Sequence, residues 1–448
     1  MKAIAQLRER PYRVLIGNVA ARVAALGSVF VATLVLARNG GPTVVGVYAL
    51  LHVLPGLLGM LASCGLPGAV AFFLAGPDRD DRRLPLTLVY MALAGGVAGT
   101  VLWLVAAPLL QRVLFPGLPL GLVVLAGALV LTRLIVTTAK SCSQGSDDLP
   151  GSNRVIFTEQ FLFLPAYGVV WGAGARGYAA VVAGLLVADV ATSSLAWSRL
   201  VRRDFFRNAG RPSRDLARRV GAYGLRAEVG TILSLLNLRL DFILLGALTS
   251  PAVLGVYVVA SKYAELIRIL GMALSYVLYP KFARDGFAKA VVNARRLVPK
   301  AGLLTAGAVI PLWFAASFVI PEVYGSAFRP AIVPAQIILL GLALDGVAGV
   351  ITGFMYGVGR PGLNSLAMSF GLVVTVVLDV LLIPRFGMIG AATASAIAYV
   401  TTALALVLFF WRIGRSGRAP VTDDSALRRG QEGRRVKLGS SSGGGVGS

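Results

Sequence analysis

Long apolar stretches separated by short polar segments run along the chain from residue 14 to residue 411. A transmembrane helix needs about 20 mostly apolar residues to cross the hydrocarbon core of a bilayer. A closed β-barrel would instead show short segments of alternating polarity. The pattern therefore predicts an all-α polytopic membrane protein with about twelve transmembrane helices. The predicted spans are 14–36, 44–66, 85–108, 118–138, 155–174, 178–199, 220–246, 252–279, 299–321, 332–354, 364–384 and 388–411.

One short segment occurs twice, each time between two apolar stretches. Pro42–Tyr48 reads PTVVGVY, and Pro251–Tyr257 reads PAVLGVY 209 residues later. A weaker pair, Gly177–Ala180 and Gly390–Thr393, is separated by 213 residues. The similar spacing predicts two six-helix bundles related by an internal repeat. Internal repeats in polytopic membrane proteins are typical of transporters, whose substrate site lies between the halves near the bilayer midplane.

Composition agrees with a membrane protein, because 56% of the residues are hydrophobic, only 14% are charged, and the mean hydropathy is +0.78. The net charge of +23 is unevenly distributed along the chain. Thirty-two lysines and arginines fall in the termini and in alternate loops, against five in the other loops. By the positive-inside rule, both termini are predicted in the cytoplasm and the protein in the cytoplasmic membrane. This topology explains the basic surplus without nucleic acid and leaves contact with anionic membrane lipids as a further use.

The same signals divide the chain into five parts. They are a cytoplasmic N-terminus (1–13), an N-terminal six-helix bundle (14–199), a basic cytoplasmic loop (200–219), a C-terminal six-helix bundle (220–411) and a basic cytoplasmic tail (412–448). The tail is rich in glycine, serine and charge, a composition that cannot bury enough apolar surface to fold. We expect it to be disordered.

Three ionisable residues in the eighth predicted span are the leading site candidates. Lys262, Glu265 and Arg268 are spaced three apart near the middle of the span, and so share one face of the helix. Ionisable groups at this depth cost about 2.5–3.5 kcal/mol on insertion scales and usually face a cavity or a partner. We interpret them as an anion-binding surface in which Glu265 holds both cations. A self-neutralising structural triad is the alternative.

Two further arginines within spans complete the predicted substrate site. Arg22 lies in the first span and Arg239 in the seventh. The planar guanidinium of arginine suits phosphate because it donates two hydrogen bonds in parallel. Arg239 and Asp241 point about 200° apart on a helix and need not pair. Arg133 falls near the predicted inner end of its span, where we expect it at the membrane interface.

Four other residues are candidates for coupling transport to a proton or sodium gradient: Asp241, Asp345, Asp379 and His52. Each carboxylate has the alternative role of counter-ion to an arginine on a neighbouring helix. His52 has the alternative role of a hydrogen-bonded core histidine. Asp189, in the sixth span, is interpreted as structural.

Signatures of catalysis are scarce. Asp78–Asp80 matches a D-x-D motif, but it lies in a short charged loop with no α/β domain around it. Nucleotide-binding, zinc-protease and nucleophile-elbow motifs are missing from the sequence. The single histidine and two cysteines form no metal-ligand spacing. The sequence therefore predicts no catalytic residue, metal or cofactor, and not an enzyme.

A set of short motifs in the right order resembles the polysaccharide (O-antigen, Wzx-type) flippases of the multidrug/oligosaccharidyl-lipid/polysaccharide exporter superfamily. The residues that carry the resemblance are Ala37–Pro42, Gly46–Tyr48, Tyr223–Leu225, Arg239–Asp241, Leu244–Gly246, Gly255–Tyr257, Pro280, Leu382–Gly387 and Gly390–Ala392. The resemblance implies two six-helix bundles that form a V around a cationic cavity. It also implies alternating access that carries a polyprenyl-diphosphate-linked oligosaccharide from the inner to the outer leaflet, for surface polysaccharide assembly. A polysaccharide polymerase is an expected partner. The second span departs from the pattern, since it has His52 in place of an arginine.

Two other functions stay open from the sequence. One is an ion-coupled multidrug exporter of the same superfamily, which a cavity dominated by carboxylates and aromatic residues would favour. The other is a membrane polysaccharide polymerase or glycosyltransferase, which would require a large outer loop or a soluble catalytic domain. The cations Arg22, Lys262 and Arg268 argue against the first, and the short loops argue against the second.

Overall fold

The computed structural model describes residues 2–416, and their side chains from residue 17 onward apart from 18, 19, 77, 227–231, 233, 234, 237 and 416. Within this range the chain forms fifteen α-helices and four short 3₁₀-helices. The 3₁₀-helices are Pro77–Asp80, Glu265–Ile267, Ser326–Ala331 and Leu342–Leu344. The α-helices are α1 Lys2–Ala62, α2 Leu66–Ala75, α3 Leu84–Val113, α4 Leu120–Ala126, α5 Ala128–Gly145, α6 Leu149–Phe161, α7 Phe163–Gly172, α8 Gly177–Arg202, α9 Arg214–Leu248, α10 Pro251–Ala264, α11 Arg268–Asp285, α12 Phe287–Tyr324, α13 Ile332–Gly341, α14 Asp345–Gly357 and α15 Pro361–Ser416.

The described helices confirm the all-α polytopic prediction. Eight stretches are long and apolar enough to cross a membrane. The two longest, of 43 and 55 residues, lie in α1 and α15 and break at Gly41 and Gly387, so each has the length of two crossings. Helix α9 and the pair α10–α11 account for the two remaining predicted spans. The predicted disordered tail lies outside the described residues from 417 onward, and α15 reaches Ser416.

Large apolar side chains cover the outer surface of the helices. Val105 is 75% exposed, Leu303 76% and Phe318 70%. Such a surface would be an aggregation hazard in water, and it is what contact with lipid requires.

The N-terminal half consists of α1–α8 and the C-terminal half of α9–α15. Three apolar cores define how these halves meet. The first core contains residues of both halves. The second belongs to the N-terminal half with the start of α9, and the third belongs to the C-terminal half alone. The first core includes Val45 and Val259, the second includes Leu88 and Leu200, and the third includes Phe282 and Phe354. The halves are therefore joined at one end and have separate cores at the other.

The end with separate cores is the basic end. Leu200 of the second core directly follows Arg199, and Phe282 of the third core lies two residues before Arg284. Helix α9 begins at this end and packs against α2 there, because Gly224 lies against the backbone of Cys64 and Gly65. Farther along, α9 packs against α15. The domain boundary at 200–219 stays a prediction, since α9 contacts both halves.

At the joined end, the two copies of the repeated segment pack against each other. A Cβ atom built on Gly46 would overlap the carbonyl oxygen of Pro251, and one on Gly255 would overlap that of Pro42. The two glycines also lie against each other's backbone nitrogen. This reciprocal contact is the arrangement expected of two halves related by an internal repeat.

Candidate functional site

Glu265 is the centre of a charged group in the C-terminal half. Its Oε2 accepts a hydrogen bond from Lys262 Nζ at 2.9 Å, and its Oε1 accepts one from Arg239 Nη1 at 2.7 Å. All three side chains are between 13% and 16% exposed. One carboxylate is thus shared by two cations, and the group keeps one positive charge in excess.

The predicted partnership between Glu265 and Arg268 is wrong, because Arg239 of α9 takes the second place. The 3₁₀ turn Glu265–Ile267 ends α10, and Arg268 begins α11 beyond it. The guanidinium of Arg268 lies over the ring of Tyr399, 5.3 Å from its centroid. As expected, Arg239 and Asp241 do not form an ion pair with each other, since Asp241 accepts a hydrogen bond from Tyr257.

A second charged group lies in the N-terminal half. Arg133 Nε is 3.4 Å from Asp189 Oδ2, and Arg133 Nη1 donates to the carbonyl oxygen of His52 at 3.2 Å. Thr132 also donates to Asp189, at 3.0 Å. Asp189 therefore has the structural role predicted for it. The predicted interfacial position of Arg133 is wrong, because α5 extends to Gly145 and places this residue well inside the helix, 9% exposed.

Both charged groups lie along the contact between α1 and α10, where His52 follows Gly46 by six residues and Lys262 follows Gly255 by seven. Arg133 of the N-terminal half contacts His52, and Arg239 and Lys262 of the C-terminal half share Glu265, so cations of both halves lie near this contact. The Nδ1 atom of His52 is buried and has no hydrogen-bond partner among the described residues. We call this set the interface cluster: His52, Arg133, Asp189, Arg239, Lys262 and Glu265. It contains three cations and two carboxylates.

Two predicted site residues lie apart from the interface cluster. Arg268 lines a cavity of about 650 Å³ within the C-terminal half, between α9, α11, α14 and α15, and Asp345 lines the same cavity. Arg22 lies where α1 meets α11, with its guanidinium 5.9 Å from the centroid of the Tyr276 ring. The predicted single cationic surface is therefore divided among three places.

Two ion-coupling candidates, Asp241 and Asp379, are a pair of buried carboxylates on the neighbouring helices α9 and α15. Asp241 Oδ2 accepts from the Tyr257 hydroxyl at 2.7 Å, and its Oδ1 accepts from the backbone N–H of Phe242 at 2.9 Å. Asp379 is fully buried, and neither of its oxygens has a hydrogen-bond partner among the described residues. Ser395 Oγ, 3.1 Å from the Tyr257 hydroxyl, adds another oxygen.

This arrangement has the chemistry of a site for a proton or a small hard cation. Asp379 would be very costly as an ion, because it is buried and has no hydrogen-bond partner among the described residues. A bound proton or sodium ion would remove this cost, and oxygen ligands suit such an ion. In the part of the chain that the structure describes, no three His, Cys, Asp or Glu side chains group to hold a metal ion.

Asp78, in the D-x-D motif, pairs with an arginine instead of facing a catalytic pocket. Arg219 Nη2 donates to both of its oxygens, at 2.8 and 3.0 Å. The motif forms part of a short 3₁₀-helix at the basic end. Its role is to tie this loop to α9.

The chain is similar in sequence to known membrane and polysaccharide biosynthesis proteins. A family model described as "Polysaccharide biosynthesis protein" matches residues 35–333. A curated relative is the probable low-salt glycan biosynthesis flippase Agl15 of Haloferax volcanii, 23% identical over 42% of this chain and 41% of its own. Another is the uncharacterized membrane protein MJ1068 of Methanocaldococcus jannaschii, 27% identical over 42% of this chain and 38% of its own. The matches thus cover about two-fifths of the length of these relatives.

Solved structures with the same fold are flippases and transporters. The lipid II flippase MurJ in an inward closed conformation matches with a TM-score of 0.73, 13% identity and 90% of both chains. An inward-facing multidrug resistance MATE family transporter of the MOP superfamily gives 0.68, with 16% identity and 90% and 94% coverage. An outward-facing transporter of that kind gives 0.58, with 16% identity and 90% and 96% coverage. The chain therefore shares its fold with these flippases and transporters.

Proposed function

Because the chain belongs to the family of polysaccharide biosynthesis proteins, we propose that it is a flippase for a lipid-linked oligosaccharide. Its substrate is a polyprenyl-diphosphate-linked glycan, carried from the inner to the outer leaflet of the cytoplasmic membrane. A relative named as a glycan biosynthesis flippase and a fold shared with a lipid II flippase support this proposal. A polysaccharide polymerase would use the outer-leaflet product.

The observation that carries the proposal is the interface cluster. A diphosphate-linked sugar cannot cross hydrocarbon unaided, since its charges and hydroxyls would lose their hydration. Lys262 and Arg239 share one carboxylate and so have hydrogen-bonding capacity left for phosphate oxygens. Arg133 approaches the same contact from the other half, where it donates to the carbonyl oxygen of His52. The affinity for an anion bound there would depend on the relative position of the halves, and alternating access requires such a dependence.

The conformation fits the first step of such a cycle. The halves are joined through the repeated segments and have separate cores at the basic end. With the basic end in the cytoplasm, as the positive-inside rule predicts, this is an inward-facing state that accepts substrate from the inner leaflet. The better superposition on an inward-facing than on an outward-facing transporter supports this assignment.

Asp241 and Asp379 are the proposed coupling site for a proton or sodium gradient. Asp241 is two residues from Arg239 on α9, so a cation bound at Asp241 and an anion bound at Arg239 act on the same helical turn. The coupling between them must be reciprocal, because each ligand changes the affinity for the other by the same factor. Asp345 and His52 stay candidates for a part in the same coupling.

The test is the location of the lipid-linked glycan in cells that lack this chain. We expect complete repeat units to accumulate on the cytoplasmic face and to reach the outer face when the wild-type gene is restored. Lys262→Ala should fail to restore transport, whereas Lys281→Ala, which removes an exposed lysine at the basic end, should succeed. Normal outward-facing glycan in the deletion strain would overturn the proposal. Drug sensitivity in that strain would then indicate the alternative, an ion-coupled multidrug exporter.

A further inference from the structure

The cavity within the C-terminal half, which we call the C-half cavity, is separate from the interface cluster. Its volume of about 650 Å³ is in the range of small-molecule sites. Glycine packing shapes it, because a Cβ atom on Gly271 would overlap the Asp345 carboxylate and one on Gly349 would overlap the carbonyl oxygen of Gly271. These close contacts hold α11 and α14 together along one wall. The opposite wall is formed by α15.

The cavity wall carries one positive and one negative charge that do not pair with each other. Arg268 and Asp345 both line the cavity and interact electrostatically, but in the described residues neither has an ion-pair partner. A purely apolar ligand would leave both charges unpaired and out of water, which is costly. A cationic ligand would be attracted by Asp345 and repelled by Arg268. The pair therefore suits a ligand that is neutral and rich in hydrogen-bonding groups.

Four tyrosine rings line the cavity: Tyr276, Tyr279, Tyr356 and Tyr399. The ring of Tyr399 lies under the guanidinium of Arg268. Tyr279 and Tyr356 are about half exposed, with ring centroids 6.2 Å apart. Tyr276 separates the cavity from Arg22 on α1. A pyranose ring has C–H groups that pack on an aromatic face and hydroxyls that bond to charged, amide and hydroxyl side chains.

We propose that the C-half cavity binds the sugar residues nearest the diphosphate of the lipid-linked substrate. This inference rests on the proposed flippase function and assigns the two parts of the headgroup to two sites. Lys262 and Arg268 are six residues apart across the 3₁₀ turn, which is about 9–11 Å along the helix axis. A diphosphate at the interface cluster would therefore place its first sugar beside Arg268. The remaining sugars would extend past Tyr276 towards Tyr279 and Tyr356.

The test separates recognition of the sugar from recognition of the diphosphate. The probes are farnesyl diphosphate and a panel of farnesyl diphosphates that carry glucose, galactose, N-acetylglucosamine or N-acetylgalactosamine. Dissociation constants are measured on the purified full-length chain in lipid nanodiscs. At least one sugar should tighten binding by about three- to tenfold, the effect expected of one well-stacked ring.

The diagnostic variant is Thr402→Trp, which fills the cavity from α15. Its matched control is Leu404→Trp, two residues farther along and 52% exposed outside the cavity. Thr402→Trp should abolish the gain from the sugar and leave the affinity for farnesyl diphosphate unchanged, and Leu404→Trp should keep the gain. Tyr356→Leu gives the same test by loss of a ring, should the tryptophan prevent folding.

Each result has a definite meaning. Suppose that farnesyl diphosphate binds wild-type protein but not Lys262→Ala, and that Thr402→Trp and Tyr356→Leu both retain the tighter binding of the sugar-bearing probe. This result would overturn the C-half cavity proposal and leave the proposed flippase function intact. Binding of the wild-type protein that is not tightened by any of the four sugars would also overturn the C-half cavity proposal. Wild-type protein that binds neither kind of probe would overturn the proposed function itself.

Discussion

Gly46 and Gly255 hold corresponding positions in the two copies of the repeated segment, and each lies against the helix that carries the other. Neither position has space for a Cβ atom, because the carbonyl oxygen of the proline in the opposite copy occupies it. Small residues allow helices in membranes to approach this closely. The repeat is therefore also the contact that keeps one end of the molecule closed.

A side chain at this contact should open the closed end. In a cysteine-free background, Val45→Cys places a thiol at a fully buried position of the contact. It should react slowly with a membrane-impermeant maleimide, and adding Gly46→Val should raise the rate at least tenfold. Gly56→Val is the matched control on the same helix, since nothing lies within 4 Å of its Cβ position. Equal rates in the Gly46→Val and Gly56→Val proteins would contradict the assignment of this contact as the closed gate.

The shared carboxylate of Glu265 predicts an asymmetry between two substitutions. Glu265→Gln leaves Lys262 and Arg239 without their counter-ion, and breaking a buried pair in this way costs about 3–5 kcal/mol. Lys262→Ala leaves the Arg239–Glu265 pair intact and should keep the fold while it loses transport. Thermal unfolding in detergent measures the difference. The account is contradicted if Glu265→Gln unfolds no earlier than Lys262→Ala.

The buried carboxylate pair predicts ion-dependent stability. Sodium that binds Asp241 and Asp379 in the folded state alone should raise the midpoint of thermal unfolding, by mass action. Asp379→Asn should remove this dependence and should not itself destabilise the protein, since it replaces a buried carboxylate that has no partner among the described residues. The measurement is a melt in sodium against choline chloride, repeated from pH 5 to pH 8. A midpoint that follows pH and ignores sodium identifies the proton as the coupling ion. If the unfolding midpoint of Asp379→Asn depended on sodium or pH as that of the wild-type protein does, this site would be excluded as the coupling site.

A pH-dependent contribution to stability is expected outside the membrane spans, at Asp148. Two hydrogen bonds from Arg199, at 2.6 and 2.8 Å, and one from the backbone N–H of Gly151 hold the pKa of Asp148 below its usual value. A lowered pKa means that the carboxylate stabilises the fold at neutral pH and loses this effect as the pH falls below about 4. Asp148→Asn should cost about 1.5–3 kcal/mol at pH 7 and flatten the acid limb of the stability curve.

The matched control for that prediction is Asp204→Asn. Asp204 is 69% exposed and lies 3.9 Å from Arg207, so this pair is worth little. Chemical unfolding at pH 7 and at about pH 2, below the usual pKa of an aspartate, compares the two variants. An equal effect of both substitutions would show that burial of Asp148 beside Arg199 adds nothing to stability.

Features that depend on local sequence could be predicted, and those that depend on tertiary packing could not. The twelve spans and the repeat follow from the order of apolar residues and from the matching PxxxGVY segments. The Lys262–Glu265 pair follows from its i, i+3 spacing. The Arg239–Glu265 pair joins residues 26 apart on different helices, and no pattern in the sequence gives their approach.

The length of α5 determines where Arg133 lies relative to the ends of its helix. The apolar run ends near residue 138, which predicts an interfacial position for Arg133, but the helix continues to Gly145. Polar residues at its end, among them Lys140 and Ser141, hid this extension in the hydropathy pattern. That Asp379 has no hydrogen-bond partner among the described residues could not be predicted either, because it depends on which side chains surround a buried carboxylate.

The most direct test of the central claim is transport by the purified chain in proteoliposomes. A polyprenyl-diphosphate-linked glycan is placed in both leaflets, and an added lectin reports the fraction accessible from outside over time. We predict that wild-type protein and Lys281→Ala exchange the glycan between leaflets, whereas Lys262→Ala behaves like protein-free vesicles. Exchange at the protein-free rate by the wild-type chain, with and without a sodium or proton gradient, would contradict its assignment as a flippase.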